Sequence, residues 1–210
     1  MGNFKIKGLR WWVLSLIGMV TIINYLDRNT LSIMWPGIVK DLNLLNPDLP
    51  KDEYAMQSKQ IYSYIYMFFM VAYGFSQLLS GKLYDRIGTR LGFMVSVLIW
   101  SIADALNAFA RGITSLSIFR AMLGLGEAGP WPGATKSNAE WFPVKERALA
   151  QGMFGAGASI GAILSPVIIA LLYTAWGWKA TFVIVGSLGL LWLLPWWLVN
   201  KKYTLTKSNF

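Results

Sequence analysis

Apolar residues gather into six runs of about 20 or more, separated by short polar stretches, at roughly 9–34, 60–81, 91–110, 113–138, 149–173 and 180–199. About 20 residues rising 1.5 Å each cross a bilayer core of about 30 Å. The pattern therefore predicts an all-α membrane protein of six transmembrane helices. Gly and Pro crowd the fourth and fifth runs (Gly124, Gly126, Gly129, Pro130 and Pro132; Gly152, Gly155, Gly157, Gly161 and Pro166). That frequency suits helices packed closely in lipid. The first run follows Lys5, Lys7 and Arg10 as a secretory leader would. It is too long for a leader, lacks a small-x-small cleavage site and carries charges at its far end, so it reads as a retained helix. The longest connection, about 35–59, holds Asn46, Pro47, Asp48, Pro50, Asp52 and Glu53. It reads as a polar external spacer with a short helical start to the second span.

Composition strengthens this picture. Of 210 residues, 55% are hydrophobic and only 14% charged, where soluble chains are about a quarter charged. The formal net charge is +9, which invites a nucleic-acid reading. The basic residues are instead spread loop by loop: eleven fall in one set of connections and five in the other, with Arg28, Arg120 and Lys136 in or beside spans. The richer side is expected to be cytoplasmic. Both termini then lie inside a cell (inner) membrane crossed many times, residues 1–200 form one bundle, and 201–210 form a polar cytoplasmic tail. No continuous basic and aromatic stripe is present, so nucleic-acid binding is set aside. His and Cys are both absent. That excludes a Ser-His or Cys-His nucleophile and the common zinc, haem and iron-sulfur sites, and no metal or cofactor is expected. Without a Gly-x-Gly-Asp acid motif either, the chain does not read as an intramembrane enzyme.

The chemistry is expected where charge enters the apolar runs. Asp27 and Arg28 stand near the external end of the first, Arg120 and Glu127 in the fourth. Each costs on the order of 2.5–3.5 kcal/mol at mid-depth. Arg120 and Glu127, seven apart, share a helix face about 10 Å apart along the axis. Two acids and two bases sum to zero, and static pairing of Asp27 with Arg120 and Arg28 with Glu127 is one reading. Apolar residues would join helices at lower desolvation cost, which favours a functional reading. Asp104, taken to lie near the outer end of the third span within reach of water, and Lys136, able to snorkel to the interface, read as unremarkable. Trp131 and Pro132 read as shaping the fourth helix.

Between the second and third runs stands Gly81-Lys82-Leu83-Tyr84-Asp85-Arg86-Ile87-Gly88-Thr89-Arg90. Gly81 and Gly88 permit a tight turn, and Asp85 among Arg86 and Arg90 can cap a helix end in a charge relay. This loop resembles the signature of the major facilitator superfamily, where such a relay latches the outward-open state. Further stretches sharpen the likeness: Ile6-Lys7-Gly8-Leu9-Arg10-Trp11-Trp12, Asn24-Tyr25-Leu26-Asp27-Arg28, Gly126-Glu127-Ala128-Gly129-Pro130-Trp131-Pro132-Gly133 and Glu140-Trp141-Phe142-Pro143-Val144-Lys145-Glu146-Arg147. As a set they look like the anion:cation symporter family, and within it are most similar to bacterial hexuronate transporters.

That resemblance implies the N-terminal half of a twelve-helix carrier working by alternating access. The activity it implies is proton-coupled symport of a sugar-acid anion, a hexuronate such as galacturonate or glucuronate. Arg28 would hold the substrate carboxylate, with Tyr73 and Arg120 also binding substrate. Asp27 and Glu127 would be the titrating acids, and Arg120 would tune Glu127 and partner Asp27. For Tyr73, aromatic packing is the alternative. Independently of the resemblance, a guanidinium fork is the best receptor for a carboxylate. A carboxyl beside a charged partner in low dielectric can exchange its proton as that partner leaves. One departure is Ala158, where relatives taking linear sugar acids often carry Gln. It leaves the sugar acid open, with aldonate and glucarate as alternatives, and the residues admit proton or sodium as coupling ion. The fifth run also lacks the Gly-Pro motif of drug antiporters, which favours symport. A C-terminal six-helix half is the implied partner; a truncated gene, a trimmed chain, a split pair and a nonfunctional or accessory fragment all stay open.

Overall fold

The computed structural model describes residues 8–207, with side chains as far as 199. Lys5, Lys7 and the end of the tail, 208–210, lie outside the described residues. The chain is helical: α1 (Leu9–Asp41), α2 (Lys51–Leu106), a 3-10 turn (Asn107–Phe109), α3 (Ile113–Glu127), α4 (Pro130–Trp141) and α5 (Val144–Lys207). Three stretches, Leu9–Asp41, Lys51–Phe109 and Val144–Val199, are long and apolar enough to cross a membrane.

Two of these helices would be far too long if straight, because the 56 residues of α2 would extend about 84 Å at 1.5 Å each. Both reverse at a glycine. The backbone leaves the helical region at Gly88 (φ 79°, ψ 165°) and Gly177 (φ 76°, ψ 173°), a conformation that a Cβ opposes and glycine tolerates. The reversal at Gly88 brings the Tyr84 hydroxyl within 3.3 Å of Ser96 Oγ. Phe154 and Trp196, on opposite sides of Gly177, likewise enter one core cluster.

Other boundaries differ from expectation. Helix α1 runs through Pro36 to Asp41, past Met34, because Trp35, Ile38 and Val39 are buried. A lipid-facing bundle tolerates Pro where neighbours compensate the lost bond. Helix α2 starts at Lys51, its first turn carrying Asp52 and Glu53, where acids favour the helix dipole. The spacer expected over 35–59 is thus only residues 42–50. The fourth run divides into α3 and α4. Ala128 and Gly129 keep helical angles, so the ladder breaks because Pro130 and Pro132 lack an N–H. Helix α5 carries most of the expected tail as helix, to Lys207.

Helix α3 packs on α2, α1 on α5, and α2 on α5. The interior holds two apolar clusters. One includes Val13, Ile17, Val20, Phe69, Tyr84, Phe93, Trp100, Trp192 and Trp196. The other includes Leu31, Met34, Ile38, Ile65, Leu116, Ile169, Trp178 and Phe182. Along α1 the polar residues between them are Asn24, Asp27, Arg28, Asn29 and Thr30, with Tyr25 and Leu26 among them. A polar layer therefore divides the core.

A charged layer between two apolar cores

Helix periodicity sends Asp27 inward and Arg28 toward an open side, since adjacent residues point about 100° apart. Asp27 is fully buried, whereas the Arg28 side chain keeps 22% exposure. Arg28 reaches across to α3, where its Nε and Nη2 donate to Glu127 Oε2 at 2.9 and 2.8 Å. Glu127 is itself fully buried, and its Oε1 has no hydrogen-bond partner. The guanidinium lies over three rings, Tyr73 at 5.0 Å, Phe69 at 5.4 Å and Tyr25 at 5.7 Å. Aromatic faces stabilise a cation by about 0.5–2 kcal/mol. Tyr73 therefore forms part of the Arg28 cage, half-buried, with its hydroxyl within reach of the guanidinium. Next to Arg28 on α1, Asn29 Nδ2 donates to Ser165 Oγ on α5 at 2.7 Å.

The other half of the layer is closed. Arg120 is 3% exposed and lies over the Phe182 ring at 5.5 Å. The expected ion pair between Arg120 and Asp27 is not formed among the described residues, and Arg120 Nε and Nη2 have no acceptor. Nor does Arg120 offer a surface to a ligand in this conformation. Phe182 and the surrounding helices cover it here, and the substrate-binding role that the resemblance implies for Arg120 stands as an expectation. Asp104, in the second part of α2, likewise has no hydrogen-bond partner for either carboxyl oxygen among the described residues. Asp104 is 0% exposed, so the expected water access is corrected as well. The 3-10 turn closes that end, with Asn107 Nδ2 donating to the carbonyls of Ala103 and Asp104 at 2.8 and 3.2 Å.

The loop motif gathers elsewhere, at the end of the bundle where α2 reverses. Its acid does not pair with Arg86 or Arg90. Lys136 Nζ on α4 donates to Asp85 Oδ1 at 2.7 Å and to the Tyr84 carbonyl at 2.9 Å. Geometry explains this: beyond the break at Gly88, Arg90 belongs to the next helical segment, where its carbonyl accepts from Trp196 Nε1 at 3.1 Å. Gly81 stays within regular helix. Thr89 Oγ1 donates to Glu140 at 2.8 Å, and Arg10 pairs with Glu146 at 3.0 Å. Asp85 keeps 73% of its side chain exposed. A surface groove of about 560 Å³ lies between Ala108, Arg111, Lys179 and Val183, with none of Asp27, Arg28, Arg120 and Glu127 in its lining.

A model of the Major Facilitator Superfamily matches residues 17–209. The hexuronate transporter of Escherichia coli (strain K12) is 33% identical over 197 residues, 94% of this chain and 43% of its own length. The galacturonate transporter of Dickeya chrysanthemi is 34% identical over 193 residues, 92% of this chain and 52% of its own. The probable L-galactonate transporter of Escherichia coli (strain K12) is 31% identical over 94% of this chain. The chain spans about half the length of these curated relatives. A bacterial homolog to the human lysosomal transporter Spinster, solved in an inward-facing and occupied conformation, shares the fold with a TM-score of 0.70. It is 22% identical and covers 91% of this chain and 44% of its own. By the extent of the family match and the identity of these relatives, the chain belongs to the major facilitator superfamily and is a membrane protein of a transporter family, not an enzyme.

Proposed function

We propose that this chain forms the N-terminal half of a carrier that imports a sugar-acid anion together with a proton. In this reading residues 1–200 cross a cell (inner) membrane six times, both termini are cytoplasmic and 201–210 lead toward the second half. The observation that carries it is Arg28, a partly exposed guanidinium caged by Tyr25, Phe69 and Tyr73 and held by the buried Glu127. An incoming carboxylate competes with Glu127 for the same fork. Glu127, left without its cation at 0% exposure, then takes a proton more readily than it did before. Anion binding and proton binding are thereby linked.

Identity of about a third to hexuronate and galacturonate transporters supports a uronate as the anion. The spans covered in those relatives support a second six-helix half, from the same or another polypeptide, as the opposite wall. Asp85, with its exposed side chain beside Lys136 and the turn at Gly88, suits a latch closing against that half. Proteoliposomes holding the chain with a C-terminal half should accumulate galacturonate when an inward proton gradient is imposed, and the chain alone should not. Uptake indifferent to the gradient contradicts proton coupling. Robust uptake by the chain alone contradicts the half-carrier reading.

A further inference from the structure

We propose that the groove between the 3-10 turn and the second part of α5 seats one anionic phospholipid, its phosphate held by Arg111 and Lys179 and an acyl chain laid along Val183 and Ile184. The groove has a volume of about 560 Å³, within the range of ligand sites. Six of its eight lining side chains are apolar, the other two are Arg111 and Lys179, and no acid is among them. The two walls come from distant parts of the chain: residues 108–111 follow the end of α2, and 179–184 follow the break at Gly177. Ala108, Ala110, Trp178 and Phe182 belong to one buried cluster. The core therefore fixes the two walls against each other.

Depth and charge select the occupant. Phe109 closes one stretch apolar enough to span a membrane, and Lys179 stands just past the reversal at Gly177 in another. Both cations thus sit where apolar helix gives way to headgroups. Phe109 and Trp176, on either side of this boundary, are 70% and 63% exposed, and exposed aromatic side chains mark that depth. Val183, one turn beyond Lys179, is exposed as well, and apolar surface on a membrane span faces acyl chains. The cations are left for a ligand, because among the described residues neither Arg111 nor Lys179 forms an ion pair. Asp41, an acid at this end of the bundle, accepts instead from Trp178 Nε1 at 2.8 Å, and Lys179 Nζ lies over the Trp178 ring at 5.2 Å. A zwitterionic lipid brings its own cation to the same place, whereas an anionic one does not. Each Lys or Arg at the membrane surface favours an anionic headgroup by about fivefold. A free anion has no chain to cover the apolar walls. This lipid site does not rest on the uronate reading.

The chain has no Cys, so Val183→Cys gives a single attachment point for a bimane fluorophore at the groove. The labelled chain is reconstituted in phosphatidylcholine vesicles, and phosphatidylglycerol or phosphatidylcholine with brominated acyl chains is introduced in increasing proportion while bimane quenching is read. Half-quenching should need about fivefold less brominated phosphatidylglycerol than brominated phosphatidylcholine, or less still. Arg111→Gln combined with Lys179→Gln should make the two lipids equal, and Arg111→Lys should keep the preference. Bimane at Leu194→Cys, an exposed position further along the same helix, should show no preference. Equal quenching at Val183→Cys, a preference that survives the double substitution, or the same preference at Leu194→Cys overturns the proposal. So does loss of the preference in excess inorganic phosphate or galacturonate at constant ionic strength, which would make the cations a free-anion site.

Discussion

Arg28 and Arg120 belong to one charged layer, yet they have opposite surroundings. Arg28 spends its donors on Glu127, is wrapped by three rings and keeps a face open. Arg120 is covered and forms no ion pair among the described residues, its Nε and Nη2 lacking any acceptor. The contrast separates two roles that the same residue type can fill. An exposed fork recognises an anion; an enclosed cation fixes the charge state of its neighbours. Substitutions should part the two sites by what they damage.

The largest effect on stability is expected at the closed site. Arg120→Gln leaves Asp27, Asp104 and Glu127 with Arg28 alone, and breaking such a buried constellation costs about 3 kcal/mol. Thermal unfolding in detergent, followed by tryptophan fluorescence, should show a clear fall in Tm. An unchanged Tm would mean that Arg120 does not balance these acids. The smallest effect is expected at the bundle end, where Asp85→Asn removes a pair whose acid is 73% exposed. Exposed pairs contribute about 0–1 kcal/mol, so Tm should hardly move. Transport by the complete carrier should slow instead, if Asp85 latches against the second half. Normal transport with a large loss of Tm would reverse these assignments.

The helices were legible because lipid demands long apolar runs: the first, second, fifth and sixth runs lie within helix, the third ends in the 3-10 turn and the fourth divides at Ala128 and Gly129. Gly88 was legible too, since the turn it makes needs a positive φ. The ends of α1 and α2 were not. Pro36 and the polar stretch after it argue for an early stop, while burial of Trp35, Ile38 and Val39 carries the helix on. In the site, Asp27, Arg28, Arg120 and Glu127 stand out as charges in apolar sequence. Which partner each would take depends on helix rotation and depth, which spacing within one helix does not give. Asp104 was discounted because it comes near the end of its run, six residues before Ala110. The folded chain buries that end beside the 3-10 turn rather than leaving it in water. The signal that could have found it was parity, since two acids balance two arginines only if Asp104 is left out. Lys136 was likewise discounted, and its partner Asp85 lies 51 residues away on another helix.

The central claim is that Arg28 receives the substrate carboxylate. It is tested most directly by the Kd for galacturonate of the complete carrier carrying Arg28→Ala, measured by titration calorimetry. Loss of a buried charge-assisted contact of this kind costs about 2–5 kcal/mol, and every 1.4 kcal/mol is about tenfold. Binding should weaken by about 30-fold or more while the helical content stays unchanged. A Kd equal to that of the unsubstituted carrier would contradict the account.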